Sequence, residues 1–332
     1  MAQKKRLRLI DSARGFCMMA ILLFHSEVYF TGEEIIPYNL YVCNSLITFF
    51  FISGYLFHNP RKPLSLRRKL LSVAKGILLP YFIFTTAIAV PKSLVHDDLS
   101  MLEAFKLIFT GHASWFVATL AVAEVIMAFL LKLTKDRKTV MFAACALPYL
   151  AIAVAYHYTD NETLQNINVW CWQNALMVLI FMFIGFQCNS NGIIDRISGN
   201  KAIILLAVAL AFLKVIVFKY GILLTLQPIS ITSFTILLVD GIIGALLILS
   251  ICKRLPEMKL VEYTGKKSLY YYFICGGVPL VVSALMNKAG FLYNGNYFKV
   301  IVVFIAVYLT ATAIVYAICK IIALFKSVPI IR

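Results

Sequence analysis

The sequence predicts an all-α integral membrane protein of about ten transmembrane helices with both termini in the cytoplasm. Three observations carry this. Of its 332 residues, 61% are hydrophobic and 14% charged, with a mean hydropathy of +0.87. Apolar runs of about 20 residues, each long enough for a hydrocarbon core of roughly 30 Å, recur from one end to the other. The cations collect in alternate connections, the pattern of a polytopic protein with its basic loops inside.

The runs fall at 9–30, 38–58, 76–95, 114–133, 139–158, 169–188, 202–219, 230–252, 268–287 and 299–325. Lipid offers no water to backbone groups, so each run is expected to be helical. No connection is long enough for a separate soluble domain, which makes 1–332 a single transmembrane domain. The basic start Lys4-Lys5-Arg6-Leu7-Arg8 looks like a signal n-region. The run behind it carries Arg14 and His25, with no small-residue cleavage site, and reads as a retained first span. Of the Lys and Arg residues, 24 lie on the N-terminal side and five on the other. The net charge of +16 is therefore topological, and nucleic acid is not an expected partner.

The first span holds the most informative spacing. Arg14 and His25 are eleven residues apart. On an α-helix that is a return to within about 20° in azimuth and a rise of roughly 16 Å. Asp11 precedes Arg14 by three residues and shares its stripe. Ionisable groups in lipid are expensive and mark pathways or reaction centres. Imidazole exchanges a proton near neutral pH and suits general-base work on a hydroxyl. A guanidinium matches phosphate or carboxylate. Asp11 reads as the residue that orients Arg14.

The second span is followed by a basic stretch, Arg61–Lys75, with six cations in 15 residues, read as topogenic charge or as a phosphate cradle for a polyanionic ligand. Asp98–Gly111 reads as a short amphipathic helix on the outer surface or as a plain connector. Glu124 and Asp240 lie near the centres of the fourth and eighth spans and need partners there. Lys214 is expected to snorkel. The eight cysteines contain no CxxC pair and read as small buried hydrophobes, with a Cys43–Cys171 disulfide left open. There is no His/Cys cluster with metal spacing, no Walker or GxGxxG loop and no internal repeat.

Several motifs, in order, resemble the acyltransferase-3 family, polytopic enzymes that O-acylate sugars and related acceptors. Arg8-Leu9-Ile10-Asp11-Ser12-Ala13-Arg14-Gly15 followed by Leu23-Phe24-His25-Ser26 is similar to its first-span signature. Phe49-Phe50-Phe51-Ile52-Ser53-Gly54-Tyr55-Leu56-Phe57 resembles its second-span motif. The basic run with Arg67, Arg68 and Lys75 before Leu78-Leu79-Pro80-Tyr81 resembles its arginine-rich loop. Ser114-Trp115-Phe116-Val117 with Glu124, and Gly265-Lys266-Lys267-Ser268-Leu269, resemble later elements.

The resemblance implies that His25 is the catalytic base or acyl relay. Arg14 (with Asp11), Arg67, Arg68 and Lys75 would hold acetyl-CoA or another short acyl-CoA. Ser53, Trp115, Glu124, Asp240 and Ser268 are candidate supporting residues, and no metal is implied. The acceptor would be a carbohydrate or glycolipid hydroxyl at the outer face of a bacterial cytoplasmic membrane, and a homo-oligomer is compatible. Two positions depart from the family: Cys275 stands where a histidine is frequent after the late Ser-Leu, and Lys75 where arginine is common, which weakens bidentate phosphate contact more than charge. Two rival readings stand beside this one. In a proton-coupled transporter or glycan exporter, Asp240, Glu124 and His25 would form a proton relay. The other rival is a non-catalytic partner in a polysaccharide complex.

Overall fold

The computed structural model describes residues 8–59, 64–95, 100–135 and 137–327. Among them, nine helices are long and apolar enough to cross a membrane, ten if one bent pair is counted as a span. The chain divides into two compact units, one formed by Met1–Ser45 with Ile251–Arg332 and the other by Leu46–Ser250. Helices α2 (Tyr38–Phe57) and α12 (Phe234–Arg254) run through the two boundaries.

The first unit is built on α1 (Arg8–Thr31), which packs against α13 (Lys259–Lys266), α15 (Gly277–Lys288) and α16 (Tyr297–Ser327). The approach of α1 to α13 depends on two glycines. A Cβ on Gly265 would lie 1.7 Å from the Asp11 carbonyl oxygen, and one on Gly15 would lie 2.1 Å from that of Val261. Only backbones without side chains meet this closely. The Thr264 and Tyr308 hydroxyls share a hydrogen bond of 2.7 Å, and Tyr271 donates to Thr312 Oγ1 at 2.9 Å, joining α13 and α14 (Ser268–Ile274) to α16. The ninth expected span, 268–287, is not one straight helix: α14 and α15 meet at 51°. Cys275 and Gly276 separate them, Gly277 opens α15 and Pro279 withholds an amide, a combination that breaks a helix.

In the second unit, α9 (Trp172–Ser190) is the centre, with α6 (Trp115–Thr134) and α7 (Lys138–Tyr158) packed on it. Here too glycine permits contact: a Cβ on Gly185 would meet the Phe51 carbonyl oxygen at 2.0 Å. Phe50, Phe51, Ile52, Phe181 and Met182 are buried around this crossing. Asn168, Gln173 and Asn174, all buried, tie down the start of α9. Asn168 donates to Asn174 Oδ1 at 2.8 Å, Asn174 to the Leu226 carbonyl at 2.6 Å, and Tyr156 to Gln173 Oε1 at 2.7 Å. Helix α11 (Asn200–Lys219) exposes nearly all of its apolar length, as a lipid-facing helix does.

Two further expectations change. The basic stretch is not a loop up to residue 75. It is helical from Leu66 as α3 (Leu66–Val73), which continues through one π turn, Ala74–Leu78, into α4 (Leu79–Val95). Arg, Lys and Leu are good helix formers, no Gly or Pro interrupts 66–75, and Ser65 enters with extended backbone. The eighth span begins at Phe234, because Leu224–Leu226 and Ile229–Ile231 form an antiparallel hairpin, β1–β2. The segment ahead of α6 is an amphipathic helix, α5 (Met101–Phe109). It is closed by a capping box in which Ser100 accepts from the Glu103 amide and Glu103 accepts from the Ser100 amide. Of the remaining short helices, α8 (Asn161–Asn166) is capped by Asp160, and α10 (Ile193–Ile197) follows α9. None of the eight cysteines is joined in a disulfide.

Candidate active site

Helix α1 is unbroken from Arg8 to Thr31, so the spacing read from the sequence holds in three dimensions. Arg14 and His25 share one stripe, separated by roughly 16 Å of helical rise. Between them on that stripe lie Met18 and Ile21, both buried. The stripe therefore faces protein and not lipid. Asp11 is buried at its lower end and Arg14 is half-buried. The Gly15–Gly265 crossing fixes this end of α1 against α13, and Ser268, half-buried, begins the next helix.

His25 is half-buried, and its ring stacks on Tyr29 with centroids 6.1 Å apart and planes 20° apart. Phe24 meets it edge-on at 5.6 Å. Among the described residues neither ring nitrogen has a hydrogen-bond partner. The two aromatic neighbours, both on α1, flank the ring.

Glu27 was not singled out in the sequence. It is fully buried two residues beyond His25. Its Oε1 accepts the backbone amides of Ile35 and Ile36, each at 2.9 Å, and its Oε2 accepts the Tyr297 phenol at 2.7 Å. One carboxylate thus holds the α1–α2 connection and the first residue of α16 to the C-terminal end of α1. Its acid type so close to an intramembrane histidine was the available signal.

The other candidates belong to the second unit. Ser53 donates to Glu124 Oε1 at 2.5 Å, and Lys69 Nζ lies 2.9 Å from Glu124 Oε2 and 4.0 Å from the Phe57 ring centroid. Glu124 is therefore paired by the one cation of α3 that turns inward. Arg67, Arg68 and Lys75 point outward and are exposed. Arg61 and Lys62 lie outside the described residues. Trp115 is half-buried at the start of α6, edge-on to Phe116 at 5.9 Å. Close by, Trp170 and Cys171 are non-glycine residues held at positive φ, 56° and 51°, a strained backbone of the kind that gathers near functional sites. Above them, the Tyr81 phenol reaches the Ile108 carbonyl at 2.8 Å.

Asp240 is completely buried and meets Lys214 Nζ at 2.7 Å. Lys214 does not snorkel: a buried carboxylate within reach outweighs the distant interface. Among the described residues, no group of three or more His, Cys, Asp or Glu side chains is arranged to hold a metal ion.

The Acyltransferase domain family model (Acyl_transf_3) matches residues 7–320, almost the whole chain, from α1 into the last turns of α16. No curated protein and no solved structure matches the chain. With a single family model covering both units, the chain belongs to the acyltransferase-3 family and is a multi-pass membrane acyltransferase.

Proposed function

We propose that this protein is an O-acyltransferase of the bacterial cytoplasmic membrane. It would move an acyl group, acetyl in the simplest case, from cytoplasmic acyl-CoA to a hydroxyl of a cell-surface polysaccharide or glycolipid at the outer face. The observation that supports this best is the α1 stripe, with a cation near one end and an imidazole without hydrogen bonds near the other.

In the chemistry that follows, the acceptor hydroxyl oxygen attacks the thioester carbonyl carbon while His25 takes the hydroxyl proton. The tetrahedral intermediate collapses, the C–S bond breaks, and the imidazolium returns the proton to the departing thiolate. No ATP is consumed, because thioester cleavage drives transfer. Base catalysis of this kind contributes roughly 10²–10⁴-fold, and alignment of donor and acceptor supplies more. Arg14, oriented by Asp11, would pair with an anionic part of the donor, with Arg67, Arg68 and Lys75 adding positive charge on the same side of the membrane.

The proton-relay reading drew on Asp240, Glu124 and His25. Asp240 and Glu124 each sit in an ion pair with a lysine, which favours a structural role for both. Labelled acetyl-CoA and a membrane extract containing the acceptor separate the classes. An acyltransferase leaves label on the glycan, and Arg14→Ala raises the donor concentration needed at least tenfold. Glycan movement without label, or an unchanged donor titration in Arg14→Ala, would remove the reading or Arg14's part in it.

A further inference from the structure

A cavity of about 530 Å³ opens in the second unit, beside the turn from α6 to α7. Its wall includes Phe57, His58 and Phe186 together with Lys132, Lys135 and Lys138. The volume falls in the range of small-molecule sites, roughly 300–1,000 Å³. None of these residues is used by the chemistry above.

The wall combines two characters. His58 and Phe186 meet edge-on with centroids 5.7 Å apart, and Phe57 lies beside them under Lys69. The same lining carries three exposed lysines spaced i, i+3 and i+6. They reach a common cavity because the chain turns between them: Lys135 ends α6 in a left-handed conformation, φ 47° and ψ 46°, and Lys138 begins α7. Among the described residues no carboxylate pairs with any of the three. The stretch 132–138 carries four cations against a single acid, Asp136, which lies outside the described residues. The three ammonium groups are exposed, so water screens their mutual repulsion, and an anion seated on this concave wall would be attracted by all of them at once. Topogenic lysines need only lie on the correct side of the membrane, so a cavity and an aromatic wall exceed what topology asks.

We propose that the cavity walled by Phe57, His58, Phe186, Lys132, Lys135 and Lys138 binds an organic phosphate. Two sources share that chemistry, the nucleotide end of an acyl-CoA donor and the headgroup of an anionic phospholipid. The aromatic face favours the nucleotide, whose base stacks where a glycerol headgroup does not. Only the identity of that ligand rests on the acyltransferase reading; the anion site does not.

The test uses full-length protein in a neutral detergent at low ionic strength. One arm titrates adenosine 3′,5′-bisphosphate by calorimetry; the other titrates a short-chain phosphatidylglycerol below its micellar concentration. The variants are Lys132→Gln/Lys135→Gln/Lys138→Gln, a control with the same charge change elsewhere (Lys201→Gln/Arg254→Gln/Lys259→Gln), and Ser190→Trp, which fills the cavity from its wall without altering charge. The expected result is bisphosphate binding that weakens with salt, falls at least tenfold in the triple lysine variant and in Ser190→Trp, and stays within about twofold of wild type in the control. The same pattern in the phosphatidylglycerol arm alone assigns the site to lipid. Binding of neither probe by wild type, equal losses in the two triple variants, or full binding by Ser190→Trp overturns the proposal. Intact acyl transfer without binding of either probe sinks this site alone. Binding without acyl transfer sinks the acyltransferase reading alone.

Discussion

Tyr297 donates its phenol to Glu27 at 2.7 Å, closing a link between the first residue of α16 and a buried carboxylate one half-turn beyond His25. Because Glu27 also accepts the Ile35 and Ile36 amides, its removal strands three donors. Glu27→Ala is expected to destabilise the protein by about 2 kcal/mol or more and to slow transfer with His25 intact. Glu27→Gln keeps the amide contacts and should lose less. Thermal unfolding in detergent beside a transfer assay checks this. An unchanged melting temperature in Glu27→Ala would show that the carboxylate does not hold the connection.

Gly265 faces the Asp11 carbonyl oxygen where a Cβ would lie at 1.7 Å. Gly265→Ala must part α1 from α13, and a backbone oxygen cannot rotate away. The expected loss is about 3 kcal/mol or more, at or above the usual range for overpacking. Donor binding should suffer with it, because Arg14 lies on the same turns of α1. Urea or thermal unfolding against Gly276→Ala, where the added Cβ meets only the tip of Tyr29 at 3.9 Å, provides the comparison. Equal stability of the two variants would contradict the crossing.

Lys69 and Glu124 are largely withdrawn from water, with side-chain exposures of 21% and 14%. Lys69→Met leaves a carboxylate without its cation, at a cost of about 3 kcal/mol. The double variant Lys69→Met/Glu124→Leu removes both charges and should recover most of that loss. A double variant as unstable as the sum of its singles would mean that the two do not interact.

Much of this is legible in the sequence, and most of what is not depends on contacts between distant parts of the chain. Span positions followed from apolar length alone, and the i, i+11 relation of Arg14 and His25 survived because α1 has no break. The burial of that stripe was not readable, because helix azimuth says which residues share a face and not what covers it. The charge of the basic run suggests a loop, but its helix propensity prevails from Leu66 onward. The Lys214 partner is not legible locally, because Asp240 lies 26 residues away on another helix. The role of Glu27 is hidden in the sequence because its partners are the backbone amides of Ile35 and Ile36 and the phenol of the distant Tyr297.

Glu103 caps α5 while fully exposed, and hydrogen bonds from the Ser100 side chain, then its backbone, hold its carboxyl below the ordinary value. A lowered folded value means the cap contributes fully above the unfolded value of about 4.3 and is lost as pH falls through the folded one. Amide exchange in α5, compared between wild type and Glu103→Gln, should differ at neutral pH and converge in acid. A difference that persists or widens in acid would contradict the sign.

The most direct measurement is acyl transfer by His25→Ala in reconstituted vesicles, with labelled acetyl-CoA on one side and the glycan acceptor on the other. The protein should insert and melt as wild type does, bind donor, and transfer at least a hundredfold more slowly, as loss of a general base requires. Transfer at the wild-type rate by a folded His25→Ala protein would contradict the role given to that imidazole.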